Sequence, residues 1–308
     1  MTKGTILLTG ASGFIGSHIA ETLLLGGWKV VCLRRSTSNT WRLSAQPNII
    51  WHDIDLNQDL APLFVEHSFD AVIHAATAYG KKGEDNSSLL FANVYFPLRL
   101  LDLAIKHHVS LFVSTDTFFK TAVHNYSYMQ NYTLSKSHFS DWMALAGDAI
   151  KLVSLSLFQV YGERDSDTKF ITNLLLKLQL GVPAMDFTRG EQKRDFIYVK
   201  DVAAAYQSVI DARASIKPGL HLFDVGTGAE TELRKFIELA AQLTGSRTCL
   251  NFGVIPYLAD EIFSSRANVE PFKTAFGWKP EFSLNAGLKR TVDWFAENAH
   301  LYASVSGP

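Results

Sequence analysis

One short stretch near the start restricts what this chain can become. Thr9-Gly10-Ala11-Ser12-Gly13-Phe14-Ile15-Gly16 follows the apolar run Thr5-Ile6-Leu7-Leu8, which reads as a buried first strand, and opens a helical pattern over about 14–25. Strand, glycine turn, helix is the context in which spaced glycines bind a dinucleotide and are more than a chance match. Gly10 permits the tight turn, Gly13 lets a pyrophosphate approach bare backbone, and Gly16 lets the helix pack close. The N-terminus of that helix presents unpaired N–H groups and the positive end of its dipole to phosphates. The spacing is Gly-x-x-Gly-x-x-Gly, not Gly-x-Gly-x-x-Gly.

The alternation continues, with strand-like runs at 28–33, 48–52, 70–76, 111–115 and 150–157. They are apolar on both faces, as parallel strands covered by helices must be. The connections are long enough for right-handed crossovers. The expected fold is α/β, a doubly wound parallel (Rossmann) sheet formed by 1–160 plus about 193–226, with strand 220–225 returning to the sheet. Helices are predicted at 170–180, 201–210 and 231–244. Residues 161–192 and 227–308 are expected to form a smaller C-terminal substrate lobe, packed over the carboxyl ends of the strands, where open α/β sheets bind ligands.

Composition excludes other classes. With 29 basic against 30 acidic residues, no face has to seek nucleic acid or an anionic membrane. Two cysteines supply neither a disulfide framework nor a metal cluster, and Cys32, inside an apolar strand, reads as a small buried hydrophobe. Residues 1–4 run straight into a strand without a signal peptide pattern. No apolar run of about 18 residues announces a membrane span. A soluble cytoplasmic protein is the expectation.

The end of the second strand bears on the choice of dinucleotide. An acid there hydrogen-bonds a ribose 2′-hydroxyl, whereas arginine accepts a 2′-phosphate. Here Leu33-Arg34-Arg35-Ser36 contains no acid, which favours NADP(H), although such a pair can also be plain surface charge. Asp53, after the third strand, is placed either to meet the adenine amino group or to cap the next helix. The second chemical signal is Tyr132-Thr133-Leu134-Ser135-Lys136, at the head of a predicted helix. At i and i+4 the phenol and the ammonium share one face. An ammonium beside a phenol lowers its pKa from about 10 and suits it to proton transfer. The spacing also occurs in ordinary exposed helices; Ser114-Thr115, ending the preceding strand with hydroxyls, makes the set a hydride-transfer site.

Together these motifs make the chain similar to the extended short-chain dehydrogenase/reductases, and within them the nucleotide-sugar epimerases, dehydratases and reductases. The resemblance rests on the glycine turn, His74-Ala75-Ala76, Val113-Ser114-Thr115, Tyr132-x-x-x-Lys136, Phe158-Gln159-Val160-Tyr161-Gly162, Arg194-Asp195-Phe196-Ile197-Tyr198-Val199-Lys200-Asp201-Val202 and Gly277-Trp278-Lys279-Pro280. It implies that Thr115 hydrogen-bonds the sugar oxygen at C4, that Tyr132 exchanges the proton there, and that Lys136 holds the nicotinamide ribose. It implies a cofactor crevice of Gly10, Ser12, Gly13, Phe14, Ile15, Gly16, Arg34, Arg35, Asp53, Ile54, Ala75, Ala76, Thr77, Tyr132, Lys136 and Phe158. Tyr79, Asn93, Thr115 and Gln159 fall to the substrate, with Arg194 and Arg266 on its diphosphate.

Departures narrow the family. The 4,6-dehydratases end this strand in Thr-Asp-Glu, whereas this chain has Thr115-Asp116-Thr117 and lacks the elimination base. The 4-epimerases carry an acid after the second strand and keep NAD bound; this chain lacks that acid. The chain looks most like the CDP-sugar 4-reductases, the CDP-paratose and CDP-abequose synthases, through Ala78-Tyr79-Gly80, the loop from Phe252-Gly253-Val254 to Asp260-Glu261, and Gly277-Trp278-Lys279 running into Glu281-Phe282-Ser283-Leu284. An NADPH-dependent 4-keto-sugar reductase is therefore expected, with a 4-epimerase and a non-catalytic dinucleotide-binding regulator as alternatives. His107-His108 lack a third ligand, His18 reads as packing or surface, and Trp142, Trp278 and Trp294 read as core. The predicted helices over 89–108 and 132–146 are apolar on more than one face, and the resemblance implies a homodimer burying them as a four-helix bundle.

Overall fold

Leu7, Val31, Val72, Phe112 and Leu152 are register partners in a row across neighbouring parallel strands, and all five are fully buried. A sheet covered on both faces produces such rows, because alternate residues of every strand point into one layer of helices. The computed structural model describes residues 2–54, 59–80, 83–120 and 129–302. The strands of the row are β1 (Thr5–Thr9), β2 (Lys29–Arg34), β4 (Ala71–His74), β5 (Leu111–Thr117) and β6 (Lys151–Leu157); β3 is Ile50–Asp53. The helices between them are α1 (Phe14–Leu25), α2 (Ala61–Glu66), α3 (Asn86–Lys106) and α4 (Gln130–Leu145).

Further along come β7 (Gln159–Tyr161), α5 (Phe170–Leu180), β8 (Ala184–Phe187), β9 (Lys193–Arg194), β10 (Phe196–Tyr198), α6 (Val199–Asp211) and β11 (Gly219–Val225). The chain ends with β12 (Thr231–Glu232), α7 (Leu233–Thr244), β13 (Cys249–Phe252), α8 (Glu270–Phe276) and α9 (Leu284–Asn298). The main sheet has the order β11-β6-β5-β4-β1-β2-β3, all parallel. The order reverses between β1 and β4, and ligands of open α/β sheets bind outside the carboxyl ends at such a reversal. The expected return of 220–225 to the sheet is observed as β11 beside β6.

The chain divides into two compact units: 1–157 with 203–225 and 269–278, and 158–202 with 226–268 and 279–308. Two stretches fall differently from expectation. Residues 193–202 join the second unit, because β9 pairs with β12 and β10 with β7. Residues 269–278 join the first, where Phe272 and Phe276 pack edge-on against Phe223 of β11. The second unit has its own aromatic centre, with Phe196 stacked on Phe236 at 4.2 Å and Tyr161 beside Tyr198 at 5.8 Å.

α3 corrects one expectation. Its 21 residues are long and apolar enough to cross a membrane by length and composition. Pro97, Leu100, Leu101 and Ala104 are buried in the first unit, whereas Leu90 and Tyr95 are exposed. On α4, Leu134, Trp142 and Leu145 are exposed too, so Trp142 is a surface residue and not part of the core; Trp278 is buried and Trp294 half-buried. Cys32 is buried, Cys249 is exposed, and no cluster fit for a metal ion exists among the described residues.

Candidate active site

The glycine turn closes against β4. Gly10 has φ of +77°, and a Cβ there would stand 2.6 Å from the backbone nitrogen of Ala76. A Cβ on Gly16 would overlap the Gly10 carbonyl oxygen, so this third glycine seats α1 on the turn itself. Gly13 is the N-cap of α1, with no side chain capping the helix and no acid in its first turn. The first-turn N–H groups, including those of Phe14 and Ile15, thus open from a tight turn without a capping side chain, and this geometry fits a pyrophosphate. Beneath the turn, Thr9 Oγ1 meets His74 Nδ1 at 2.9 Å and accepts from the Ala76 N–H at 3.1 Å. His74 is fully buried; burial, and then the Lys136 ammonium, push its pKa well below the usual histidine value.

At the far end of the turn, Arg34 and Asp53 are register partners on β2 and β3. Arg34 Nε donates to Asp53 Oδ1 at 2.6 Å, and its guanidinium lies over the Trp51 ring. Asp53 thus holds Arg34 through Oδ1, while its side chain remains more than half exposed. The Ile54 N–H donates to the Arg34 carbonyl at 2.8 Å, which fixes the two strand ends together. Arg35 begins the exposed loop that follows. A third guanidinium is present that motif reading passed over. Arg42 Nη1 donates to the Ser12 carbonyl at 3.1 Å, which ties the loop after β2 to the glycine turn. Among the described residues, Arg34, Arg35 and Arg42 supply guanidinium groups near this end of the crevice, a chemistry that suits a phosphomonoester.

The third part is a set of hydroxyls where β5 meets α4. Alternation along β5 sends Thr115 and Thr117 to one face and Ser114 and Asp116 to the other. Lys136 Nζ donates to the Thr115 carbonyl at 2.9 Å. Thr115 Oγ1 meets the Tyr206 hydroxyl at 2.5 Å. The Tyr79 ring lies 5.1 Å from the Tyr132 ring. The expected lowering of the Tyr132 pKa is not found. Burial drives it well above 10, the Tyr79 phenol adds to this, a hydrogen bond from Thr117 opposes it, and the Asp116 carboxylate and Tyr206 raise it further. The reason is burial: loss of water around the phenol disfavours its charged form, and this outweighs the hydrogen bond from Thr117. Burial also pulls the Lys136 pKa down to about 8, against the pull of Asp116.

Asp116, the carboxylate that follows Thr115, accepts from Lys120 Nζ at 2.7 Å and from Ser154 Oγ at 3.3 Å. Asn93 is also spent inside the fold. It lies in a π-helical turn, Phe91–Tyr95, within α3. Its amide accepts from the Ala78 N–H at 2.9 Å and donates to the Ala78 carbonyl and to Ser135 Oγ. Ser135 in turn donates to the Tyr132 carbonyl. Asn93 therefore anchors the Ala78–Tyr79 segment to the helix of Tyr132 and does not present its amide to a substrate, in line with the use of π-turns at functional sites. Thr77 sits in the same segment, half-buried.

Phe158, Gln159, Arg194 and Arg266 belong to the second unit. Phe158 is buried, and the Gln159 N–H donates to the Asp195 carbonyl. Arg194 is not displayed to solvent: Nη2 donates to Glu261 Oε1 at 2.7 Å, and Nη1 to the carbonyls of Lys193 and Ile262. Exposed Arg266 shares a shallow recess with Lys193, Thr231, Glu232 and Lys235, without Arg194. The Asp195 N–H donates to the Ser265 carbonyl, so Arg194 and Arg266 lie on neighbouring segments of the second unit. Asp195 carries the fold of this region. Its carboxylate accepts from the Thr227 N–H, the Thr227 hydroxyl, the Gly228 N–H and the Ala267 N–H.

Three comparisons bear on this geometry. The NAD dependent epimerase/dehydratase family matches residues 6–226. The chain is 36% identical over 296 residues to a CDP-abequose synthase of Salmonella typhimurium, covering 94% of this chain and 98% of that one. It is 27% identical to a UDP-glucuronate 4-epimerase of Thermodesulfobacterium geofontis, over 98% and 99% of the two chains. Among solved structures, a UDP-glucose 4-epimerase from Thermotoga maritima has a TM-score of 0.83 at 23% identity, covering 96% of this chain and 99% of that one, which shows a shared fold.

Proposed function

The chain belongs to the NAD dependent epimerase/dehydratase family, the extended short-chain dehydrogenase/reductases, and from that premise we propose that it uses NADPH to reduce the C4 ketone of a CDP-linked deoxysugar of the 4-dehydro-3,6-dideoxyhexose type. The observation that carries this reading is the gathering of Thr115, Thr117, Tyr132 and Lys136 where β5 meets α4, in the unit that also holds the glycine turn. The similarity to a CDP-abequose synthase supports the nucleotide and the sugar class. Gly10, Gly13 and Gly16 would hold the reduced cofactor, which would supply the hydride for the C4 carbon.

The protein's own part is to hold and move a proton. A phenol whose pKa burial keeps high is protonated at neutral pH, the state needed to give a proton to the C4 oxygen as the carbonyl becomes an alcohol. The Thr115 hydroxyl supports the same oxygen, and the Thr117 hydroxyl steadies the phenolate that Tyr132 becomes. Lys136, fixed by the Thr115 carbonyl, keeps a positive charge within the site. An elimination at C5 and C6 is disfavoured among the described residues, since Thr117 carries a hydroxyl where the dehydratases have a glutamate, and Asp116 is engaged by Lys120 and Ser154. Arg34, Arg35 and Arg42 favour the 2′-phosphate of NADPH.

The test is to mix the purified protein with NADPH and a CDP-4-keto-3,6-dideoxyhexose and follow the reduced-nicotinamide absorbance. Steady loss of absorbance with formation of the C4 alcohol is expected. Protein that arrives with tightly held NAD and interconverts C4 epimers without consuming NADPH would establish the epimerase instead. Replacing Arg34 and Arg35 together by Ala should cut the preference for NADPH over NADH by roughly 10-fold or more, the scale of a lost charge-assisted hydrogen bond. A homodimer is also proposed, burying Leu90, Tyr95, Leu134, Trp142 and Leu145, which lie exposed on α3 and α4. Light scattering should report a dimer for the native chain and a monomer for Leu145→Glu.

A further inference from the structure

Tyr206 belongs to no motif of the chain, yet it touches the residue expected to meet the substrate. It lies on α6, in the stretch 203–225 of the first unit, and it is fully buried. Its hydroxyl meets Thr115 Oγ1 at 2.5 Å and makes no other hydrogen bond among the described residues. Burial, a little offset by that bond and reinforced by the Asp116 carboxylate, holds its pKa above the usual tyrosine value, so the group is a neutral phenol.

A phenol and an alcohol in contact share one hydrogen bond, and either oxygen can supply the proton. Here the choice is constrained. The Tyr206 O–H has no second acceptor among the described residues, and a buried O–H without an acceptor carries a desolvation cost. A phenol is also much the stronger acid. The Thr115 hydroxyl has an alternative, since Thr115 is only half-buried and its O–H can turn away from Tyr206.

We infer that Tyr206 is a positioning residue: it donates to Thr115 Oγ1 and thereby commits the Thr115 proton to an acceptor on the substrate. A ketone oxygen can only accept, whereas an alcohol can do either. The pair therefore presents a donor set for the oxidised form of the sugar at C4, and bonds in such a chain strengthen one another. This inference rests on the proposed reduction of a C4 ketone. It adds a residue to that reaction and a reason why Thr115 serves as donor.

The experiment varies only the donor. Residue 206 is made Phe, 4-fluorophenylalanine and 4-aminophenylalanine, the latter two by suppressor incorporation, each in the native and the Thr115→Val backgrounds. The fluoro side chain fills about the same space as tyrosine and has no proton to give; the amino side chain does have one. The Phe and fluoro proteins should lose about 10-fold in kcat, with the Kd for NADPH within about 2-fold of native, and the amino protein should recover most of the loss. In the Thr115→Val background all residue-206 forms should turn over within about 2-fold of one another, since the effect passes through Thr115. A readout free of turnover accompanies this: calorimetric affinity for the keto sugar in the absence of NADPH should weaken about 3-fold in the fluoro protein and not in the amino protein. If the fluoro protein matches native in kcat and affinity, Tyr206 merely fills space and the inference is wrong. A loss that persists in the Thr115→Val background overturns it as well. A native protein that oxidises no NADPH with any keto sugar takes down the reductase reading and this inference with it, before any variant is made.

Discussion

Each unit of this protein buries a charge, and the two are treated in opposite ways. Asp195 in the second unit has no exposed surface, and four donors fill its carboxylate. Lys136 in the first is about as deeply buried but makes a single hydrogen bond among the described residues, to the Thr115 carbonyl, and burial pulls its pKa down to about 8. A buried charge whose hydrogen-bonding capacity is used up within the fold serves as structure. One left short of partners costs the fold stability and is retained where a ligand uses it. The same contrast separates neighbouring motif residues. Arg194 is tied to Glu261 and two carbonyls, and Asn93 to Ala78 and Ser135, whereas Thr115 keeps a proton to offer.

The comparison breaks first at Tyr132. If the under-satisfied charge of Lys136 serves a reaction, the phenol one helical turn away must carry the proton. Tyr132→Phe should then turn over at least about 10²-fold more slowly while binding NADPH with nearly native affinity. Steady-state kinetics beside a fluorescence titration with NADPH decides it. Near-native turnover would make Lys136 a buried charge without a purpose, and the contrast with Asp195 would lose its meaning.

Stability offers the next test, because the two charges predict opposite signs. Asp195→Asn turns an amide N–H₂ toward donors that need acceptors, and should destabilise the protein by about 3 kcal/mol. Lys136→Met removes an ammonium that the fold holds at a cost. Its folded pKa, about 8, lies below the unfolded value of 10.5, so the unfolded chain binds more protons between those limits. The cost is therefore fully present below pH 8 and fades as the pH rises toward 10.5. After allowance for the lost bond to Thr115, the Met protein should be more stable than native by roughly 2 kcal/mol at pH 7 without added NADPH, with the advantage shrinking through that window. Thermal melts of native and variant proteins at several pH values measure this. A Met variant that is less stable at neutral pH, or a difference that ignores pH, would show that Lys136 is satisfied after all.

What the sequence made legible follows the same division. The glycine turn, the alternation of strands with helices and the pairing of Tyr132 with Lys136 are local signals, written in spacing along the chain. The glycines work as read, down to the positive φ of Gly10. Thr117 was within reach of the period of 2, which places it on the face of Thr115. Tyr206 and Arg42 were not, since each acts on a residue distant in the chain, 91 and 30 positions away, and neither spacing has a rule. The direction of the Tyr132 pKa shift was out of reach for a related reason. An ammonium four residues on is visible in the sequence, but the desolvation that outweighs it and the carbonyl that engages it exist only in the fold.

Arg194 provides the smallest and sharpest test. The guanidinium lies with Glu261 at 2.7 Å, both side chains being about one-tenth exposed, so each is largely withdrawn from water and pairs with little screening. A phosphate approaching Arg194 has to displace that carboxylate. Glu261→Gln keeps the size of the side chain and an oxygen acceptor for Nη2 but removes the charge, weakening the hold without emptying the space. If Arg194 meets a diphosphate once released, the Gln protein should bind the CDP-sugar about 3-fold more tightly, by roughly the difference between a charged and a neutral hydrogen-bond partner. NADPH affinity should not change. If calorimetry finds no gain, or finds weaker binding, Glu261 is part of the scaffold and Arg194 belongs with Asp195 among the groups whose bonding capacity the fold has already used.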